Sequence, residues 1–277
     1  GHMLKANVFC AGPVEALILD WAGTTIDFGS LAPVYAFMEL FKQEGIEVTQ
    51  AEAREPMGTE KSEHIRRMLG NSRIANAWLS IKGQASNEED IKRLYDLFAP
   101  IQTRIVAQRS QLIPGWKEVF DKLIAQGIKV GGNTGYGPGM MAPALIAAKE
   151  QGYTPASTVF ATDVVRGRPF PDMALKVALE LEVGHVNGCI KVDDTLPGIE
   201  EGLRAGMWTV GVSCSGNEVG LDREDWQALS SDEQQSYRQH AEQRLFNAGA
   251  HYVIDSVADL ETVITDVNRR LARGEKP

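Results

Sequence analysis

An apolar run, Ala16-Leu17-Ile18-Leu19, ends abruptly at a carboxylate, Asp20, and passes into Trp21-Ala22-Gly23-Thr24-Thr25. A short, continuous apolar run bounded by turn residues is the pattern of a strand buried on both faces, as in a parallel sheet covered by helices. Open parallel sheets hold their ligands at the carboxyl ends of such strands. Asp20 therefore stands where chemistry is expected, and Gly23-Thr24-Thr25 offers backbone N–H groups and hydroxyls able to hold an anion.

The rest of the chain divides into two rhythms. Leu31 to Glu44 has helical spacing, and from Glu52 to about Gln108 the pattern stays helical, with segments near 60–69, 72–81 and 88–108. From Ile113-Pro114-Gly115 onward strands and helices alternate: strands near 128–132, 158–161, 189–192, 208–212 and 251–254, with helices at about 116–126, 138–151, 172–181 and 196–205. A polar helical region over about 223–248 precedes the last strand, and a closing helix starts near 257. Alternation of this kind implies right-handed crossovers and a parallel sheet. The expected fold class is α/β: a Rossmann-like core from 4–27 and 110–277, with an all-helical cap, 28–109, inserted after the first strand. Gly1-His2-Met3 reads as a tag remnant.

With 277 residues the chain can bury a large core. No run approaches the ~18 apolar residues of a membrane span. Cys10, Cys189 and Cys214 are widely spaced and suit a reducing, cytoplasmic setting, with neither a disulfide framework nor a zinc motif. A net charge of −9, from 37 acidic and 28 basic residues, argues against a broad nucleic-acid surface but permits a small anionic substrate.

Three strands end in polar residues: Asp20, Asn133-Thr134-Gly135 and Asp193-Asp194. In a parallel sheet those ends share one edge, so residues far apart in sequence meet. Carboxylates gathered there repel unless a cation intervenes, and an all-oxygen set favours Mg²⁺. Arg166-Gly167-Arg168-Pro169-Phe170-Pro171 adds positive charge after the strand near Val159. An aspartate nucleophile, a hydroxyl, a basic group and carboxylate-bound Mg²⁺ make a phosphoryl-transfer site working through an aspartyl phosphate.

These four segments, in this order, resemble the four motifs of the haloacid dehalogenase superfamily across the whole core. The resemblance implies Asp20, Asp194 and the backbone carbonyl of Ala22 as metal ligands. It implies Thr134, Gly135, Arg168 and the Gly23–Thr24 turn around the phosphoryl group. Asp193 stands where glycine is more usual, and Gly198 where many members carry a further Asp. The first motif also departs from its usual Asp-x-Asp, because the second position is Ala22. Without that carboxylate an ordinary phosphatase lacks the acid that protonates its leaving alcohol, a contribution of ~10²–10⁴-fold.

The segment Pro56-Met57-Gly58-Thr59-Glu60-Lys61-Ser62-Glu63-His64, with Asp-Trp-Ala-Gly-Thr-Thr at the front, is similar to the phosphonatase family, in which a cap lysine forms a Schiff base with the substrate aldehyde. That similarity implies Mg²⁺-dependent hydrolysis of the P–C bond of phosphonoacetaldehyde, in 2-aminoethylphosphonate breakdown, by a homodimer joined through the cap. Lys61 would form the imine, and its place in the first turn of a helix would lower its pKa. His64, three residues on along the same face, would shuttle protons or make an interhelical hydrogen bond. Met57 and Gly58 would line the substrate or simply form the helix entry. Two rivals are a general phosphate-ester phosphatase and a non-catalytic phosphoanion-binding module.

Overall fold

The computed structural model describes residues 9–57 and 61–277, so the expected tag remnant and Gly58 lie outside the described residues. Six strands, β1 (Ala16–Asp20), β2 (Lys129–Thr134), β3 (Ser157–Phe160), β4 (Cys189–Asp193), β5 (Trp208–Val212) and β6 (Tyr252–Ile254), make one parallel sheet in the order β3-β2-β1-β4-β5-β6. The strand order reverses between β1 and β4, which opens a crevice beyond their carboxyl ends. Asp20 lies opposite Asn133 in register, and Leu19 lies between Gly132 and Val192.

Every residue of β1 is buried because both faces of the sheet are covered. Leu17 and Leu19 join one apolar cluster with Trp116, Phe120, Met141 and Val267, whereas Ala16 and Ile18 join a second with Met173, Val177 and Met207. The side-chain period of two deals the run alternately to the two faces. On the second face α8 (Asp172–Glu180) lies so close to β2 that a Cβ on Gly131 would fall 2.4 Å from Val177 Cγ1. Only glycine admits the helix there.

Among the described residues six helices lie between β1 and β2 in the chain: α6 (Trp116–Ala125), which leads directly into β2, and before it the five of an insertion, α1 (Ala32–Gln43), α2 (Gln50–Arg54), α3 (Lys61–Gly70), α4 (Ser72–Lys82) and α5 (Glu88–Gln108). Capping boxes start α2, through Thr49 and Glu52, and α5, through Asn87 and Asp90. Left-handed Gly83 (φ 78°) stops α4. Their shared interior is apolar and aromatic, with Phe37, Phe41, Ile65, Trp78, Leu94 and Phe98 all buried. One contact with the sheet layer runs through α5 and α7 (Pro138–Glu150).

Two expected boundaries are corrected. The polar region over 223–248 is two helices, α10 (Arg223–Ala228) and α11 (Ser231–Asn247), because Ser230 and Glu233 form a capping box that starts a new helix. The last helix, α12 (Leu260–Ala272), begins three residues late, after a 3₁₀ turn over Val257–Asp259.

The two chain crossings that bracket α1–α5 are pinned to each other. The Asp27 carboxylate accepts the N–H groups of Leu31 (3.1 Å) and Ala32 (2.9 Å) and pairs with Arg109 just after α5. Asp27 is buried and its backbone is left-handed, with φ 56°. Replacing Asp27 by Ala leaves a part-buried guanidinium unpaired and two helix N–H groups without an acceptor. The expected loss is about 3 kcal/mol in urea unfolding at an unchanged m-value, and a loss under 1 kcal/mol would contradict this pinning role.

Candidate functional site

Asp20 ends β1, Asn133 and Thr134 end β2, and Asp193 and Asp194 end β4, so adjacent parallel strands deliver all five to one edge. All five are buried. Oxygen atoms of Asp20, Asp193 and Asp194 lie within 4.8 Å of one another. Arg168, from the segment after β3, reaches into the same space. Its Nη2 donates to Asp20 Oδ1 at 3.1 Å and to Asn133 Oδ1 at 2.9 Å, and its Nε donates to Glu201 Oε1 at 3.0 Å. Arg166, by contrast, pairs with Asp172 at the surface and stacks over Phe170.

Two members of the site carried no weight in the sequence analysis. Lys191 is fully buried in β4, with Nζ 2.9 Å from Asp193 Oδ2 and 3.5 Å from Glu201 Oε1. Glu201, on α9 (Leu196–Arg204), is also fully buried and accepts from Asn133 Nδ2 at 2.8 Å. The signal was there in the pattern, since a lysine inside an otherwise apolar strand must be paired or it would not be buried.

The turn after Asp20 closes on itself. Gly23 N–H donates to Ile26 O (2.8 Å), and the Thr24 and Thr25 N–H groups donate to Trp21 O (3.0 and 2.9 Å). The Thr24 hydroxyl donates to Asp194 Oδ1 at 3.0 Å and the Thr25 hydroxyl to Asp20 O at 3.0 Å. The expectation that these N–H groups offer an anion cradle is therefore corrected, because the turn spends them internally. Gly23 instead shapes the site: it has φ 82°, and a Cβ there would fall 2.1 Å from Asp194 Oδ2. Thr134 Oγ1 accepts the Tyr136 N–H at 3.0 Å and keeps its own proton to donate, and Gly135 is exposed beside it.

The charges do not balance. Among the described residues Asp20, Asp193, Asp194 and Glu201 meet two cations, Arg168 and Lys191, so two formal negative charges are left over, matching one divalent cation. Burial raises the Asp20 pKa, opposed mainly by Arg168. Burial, with Asp20 and Asp193 adding repulsion, holds Asp194 well above the usual range. Asp193 behaves oppositely: burial works to raise it, yet Lys191 and Arg168 bring it down to about 2. The mutual repulsion of Asp20 and Asp194 is what a hard cation between the strand ends would relieve. The oxygen-only donors fit a divalent metal of the Mg²⁺ type.

In the helical insertion, Lys61 lies at the start of α3, half-buried, with Nζ 5.6 Å from the Phe37 ring centre and 5.5 Å from that of Phe98. Met57 is half-buried and packs against the large apolar cluster. His64 is buried and stacked on Phe37, with ring centres 3.7 Å apart, and its Nε2 is 2.7 Å from Ala53 O on α2. The insertion also touches the sheet edge. Arg54 donates to Asn217 Oδ1 (3.3 Å) and Gly220 O (3.1 Å), and Asn217 N–H donates to Asp194 Oδ2 (2.9 Å). Cys10, Cys189 and Cys214 are free and buried, and among the described residues no helix is long and apolar enough to cross a membrane.

Comparison with known proteins adds independent information. The family model for a haloacid dehalogenase-like hydrolase matches residues 14–206. A phosphonoacetaldehyde hydrolase from Hahella chejuensis is 54% identical over 269 residues, covering 97% of this chain and 92% of its own. A phosphonoacetaldehyde hydrolase from Paraburkholderia xenovorans is 47% identical over 264 residues, covering 95% and 99%. Among solved structures, β-phosphoglucomutase from Clostridium difficile superposes with a TM-score of 0.60 at 19% identity, covering 94% of this chain and all (100%) of that one. This likeness concerns the fold alone.

The His64 environment generates a prediction. Burial is the main cause that lowers its pKa, to about 4, and Lys61 and Arg67 add to the effect. The folded value lies below the ordinary 6.5, so the unfolded chain takes up a proton first as pH falls. The stability contributed by neutral His64 is complete above pH 6.5 and is lost between 6.5 and about 4, by roughly 1–3 kcal/mol. An NMR titration of the ring should show a midpoint near 4. A midpoint near 6.5 would instead mean a ring free to gain its proton at neutral pH.

Proposed function

The chain belongs to the phosphonoacetaldehyde hydrolases of the haloacid dehalogenase-like family, and from that premise we propose how its own residues break the carbon–phosphorus bond of a small phosphonate. The proposed substrate is phosphonoacetaldehyde, released as acetaldehyde and phosphate in 2-aminoethylphosphonate degradation. The observation that carries the mechanism is a pairing of presence and absence. A buried carboxylate, Asp20, sits against Arg168, while Ala22, two residues on, offers no acid for a leaving group.

A P–C bond resists cleavage because the departing carbanion is strongly basic. In the proposed sequence the neutral Lys61 amine condenses with the aldehyde, expelling water, and the imine takes up one proton from solvent to become the protonated imine. An Asp20 oxygen attacks phosphorus opposite the carbon. As the new O–P bond forms, the P–C electrons pass into the imine and the fragment leaves as an enamine. No acid at position 22 is needed. The enamine takes a proton on carbon, and water frees acetaldehyde from Lys61 and phosphate from Asp20.

The Thr134 hydroxyl and the exposed Gly135 backbone bind phosphoryl oxygens, and Arg168 offsets their charge while orienting Asp20. Gly23 and Thr24 act indirectly, by fitting against and hydrogen-bonding Asp194. Asp20, Asp194 and the Ala22 carbonyl would hold a divalent cation, proposed as Mg²⁺. That ion when bound supplies charge neutralisation, so that anionic Asp20 and the phosphoryl group can approach. His64, whose Nε2 engages the Ala53 carbonyl, is assigned the task of fixing α3 against α2 and hence Lys61 in place.

The segment 28–109 is proposed as a cap that excludes water once the imine has formed. Exposed Leu79 and Ile81 on α4 and Tyr95 and Leu97 on α5 support pairing of two copies through this cap. Sedimentation showing only monomer at micromolar concentration would remove that pairing.

Borohydride reduction with phosphonoacetaldehyde, followed by mass mapping, should label Lys61 and only when substrate is present. Substrate-dependent labelling elsewhere, or none, would sink the imine. Replacing Asp20 by Ala should lower kcat at least ~10⁴-fold. A general phosphatase would keep its activity in Lys61→Ala, and a binding module would keep phosphate binding in Asp20→Ala without turnover in either protein. Exhaustive chelation should abolish turnover, with Mg²⁺ restoring it; full activity in chelator would remove the metal from the mechanism.

A further inference from the structure

Of the three aspartates gathered at the strand ends, Asp193 is the most heavily engaged by the rest of the chain. Its Oδ1 accepts the Asp194 N–H (2.8 Å), the Thr195 N–H (3.0 Å) and the Thr195 hydroxyl (2.9 Å). Its Oδ2 accepts Lys191 Nζ at 2.9 Å and lies 3.5 Å from Arg168 Nη2. Oδ1 thus carries three hydrogen bonds, and Oδ2 lies between two cations whose charge opposes the approach of a metal ion. Asp20 and Asp194 differ: Asp20 Oδ1 accepts Arg168 Nη2, and each Asp194 oxygen accepts one uncharged donor, the Thr24 hydroxyl or the Asn217 N–H.

The same carboxylate fills the space above Gly198, on the first turn of α9. A Cβ built on Gly198 would fall 1.9 Å from Asp193 Cγ and 2.0 and 2.3 Å from its two oxygens. The glycine is not needed for its backbone, since it lies within a regular helix. It is needed for the volume. Residues 193 and 198 thus have room for one side chain between them. That side chain also organises the helix start, because the Thr195 hydroxyl that donates to Asp193 accepts the Gly198 N–H at 3.1 Å.

We propose that Asp193 is a positioning residue rather than a metal ligand, and that Asp193 and Gly198 are a matched pair sharing one carboxylate-sized space. From there the carboxylate anchors Lys191, Arg168 and the start of α9. Arg168 in turn reaches Asp20, so an error at Asp193 is passed to the nucleophile through one guanidinium.

Removing a metal ligand from a metal-free carboxylate cluster relieves repulsion, whereas removing an anchor strands a buried lysine. The sign of the stability change in chelator therefore separates the two roles. Asp193→Asn retains an acceptor toward Thr195 but loses the charge opposite Lys191. Its melting temperature in excess chelator should fall by at least ~3 °C, and kcat at saturating Mg²⁺ should fall at least ~10-fold. An unchanged or raised melting temperature, or an unchanged kcat, overturns the proposal.

The exchange variant D193G/G198D supplies the second arm. Gly198→Asp alone and Asp193→Gly alone should each lower both melting temperature and kcat. The exchange should exceed the better single variant at least ~10-fold in kcat and melt above both, a non-additivity expected only of sites that share a space. An exchange variant no better than the worse single variant, or one that fails to fold, overturns the matched pair even if Asp193→Asn itself cannot be made. The inference rests on the metal-assisted reading above. If calorimetry finds no Mg²⁺ binding to the parent chain, that reading fails, whereas the metal-free melting shifts still judge this one.

Discussion

Four carboxylates and two cations are buried together at the carboxyl ends of β1, β2 and β4, and the surplus of negative charge governs the surrounding structure. Charges in such a place are costly unless each is paired. The chain meets that cost unevenly. Asp193 and Glu201 each face both Lys191 and Arg168, whereas Asp20 meets Arg168 at one oxygen and Asp194 accepts two uncharged donors, the Thr24 hydroxyl and the Asn217 N–H. The deficit of positive charge falls on Asp20 and Asp194, the two carboxylates proposed to hold a divalent cation.

The helical insertion is coupled to this cluster by short routes. Asp27 and Arg109 clasp its two entry strands just beyond the Asp20 turn. Arg54 grips the 217–220 segment, which itself donates to Asp194. Lys61 stands on aromatic rings from α1 and α5, and His64 seals α3 to α2 as a neutral ring. A shift of the insertion is therefore felt at a carboxylate of the site through two or three hydrogen bonds.

Much of this was legible in the order of the residues. The run ending at Asp20, the alternation after Ile113 and the polar ends at Thr134 and Asp194 identify a parallel sheet with one functional edge, because strand burial and strand polarity leave a local signature. Ala22 and Lys61 were legible through resemblance. Lys191 left a local sign, a lysine within an apolar strand, but its partner did not: Glu201 looks ordinary on a polar helix and acquires meaning only opposite Lys191, Arg168 and Asn133. The two departures at Asp193 and Gly198, separate oddities in the sequence, are one feature in three dimensions: the side chain missing from the helix is present on the strand.

By itself the sequence determined the α/β class, the position of the helical insertion and the residues with chemistry to offer, because these follow from periodicity and residue type along the chain. Only the tertiary structure decided which donors were already spent. The Gly23, Thr24 and Thr25 N–H groups were available on paper and are committed in the fold, as are the oxygens of Asp193. The physical reason is that hydrogen-bond capacity is a property of a residue, whereas its use depends on which atoms folding brings within about 3 Å.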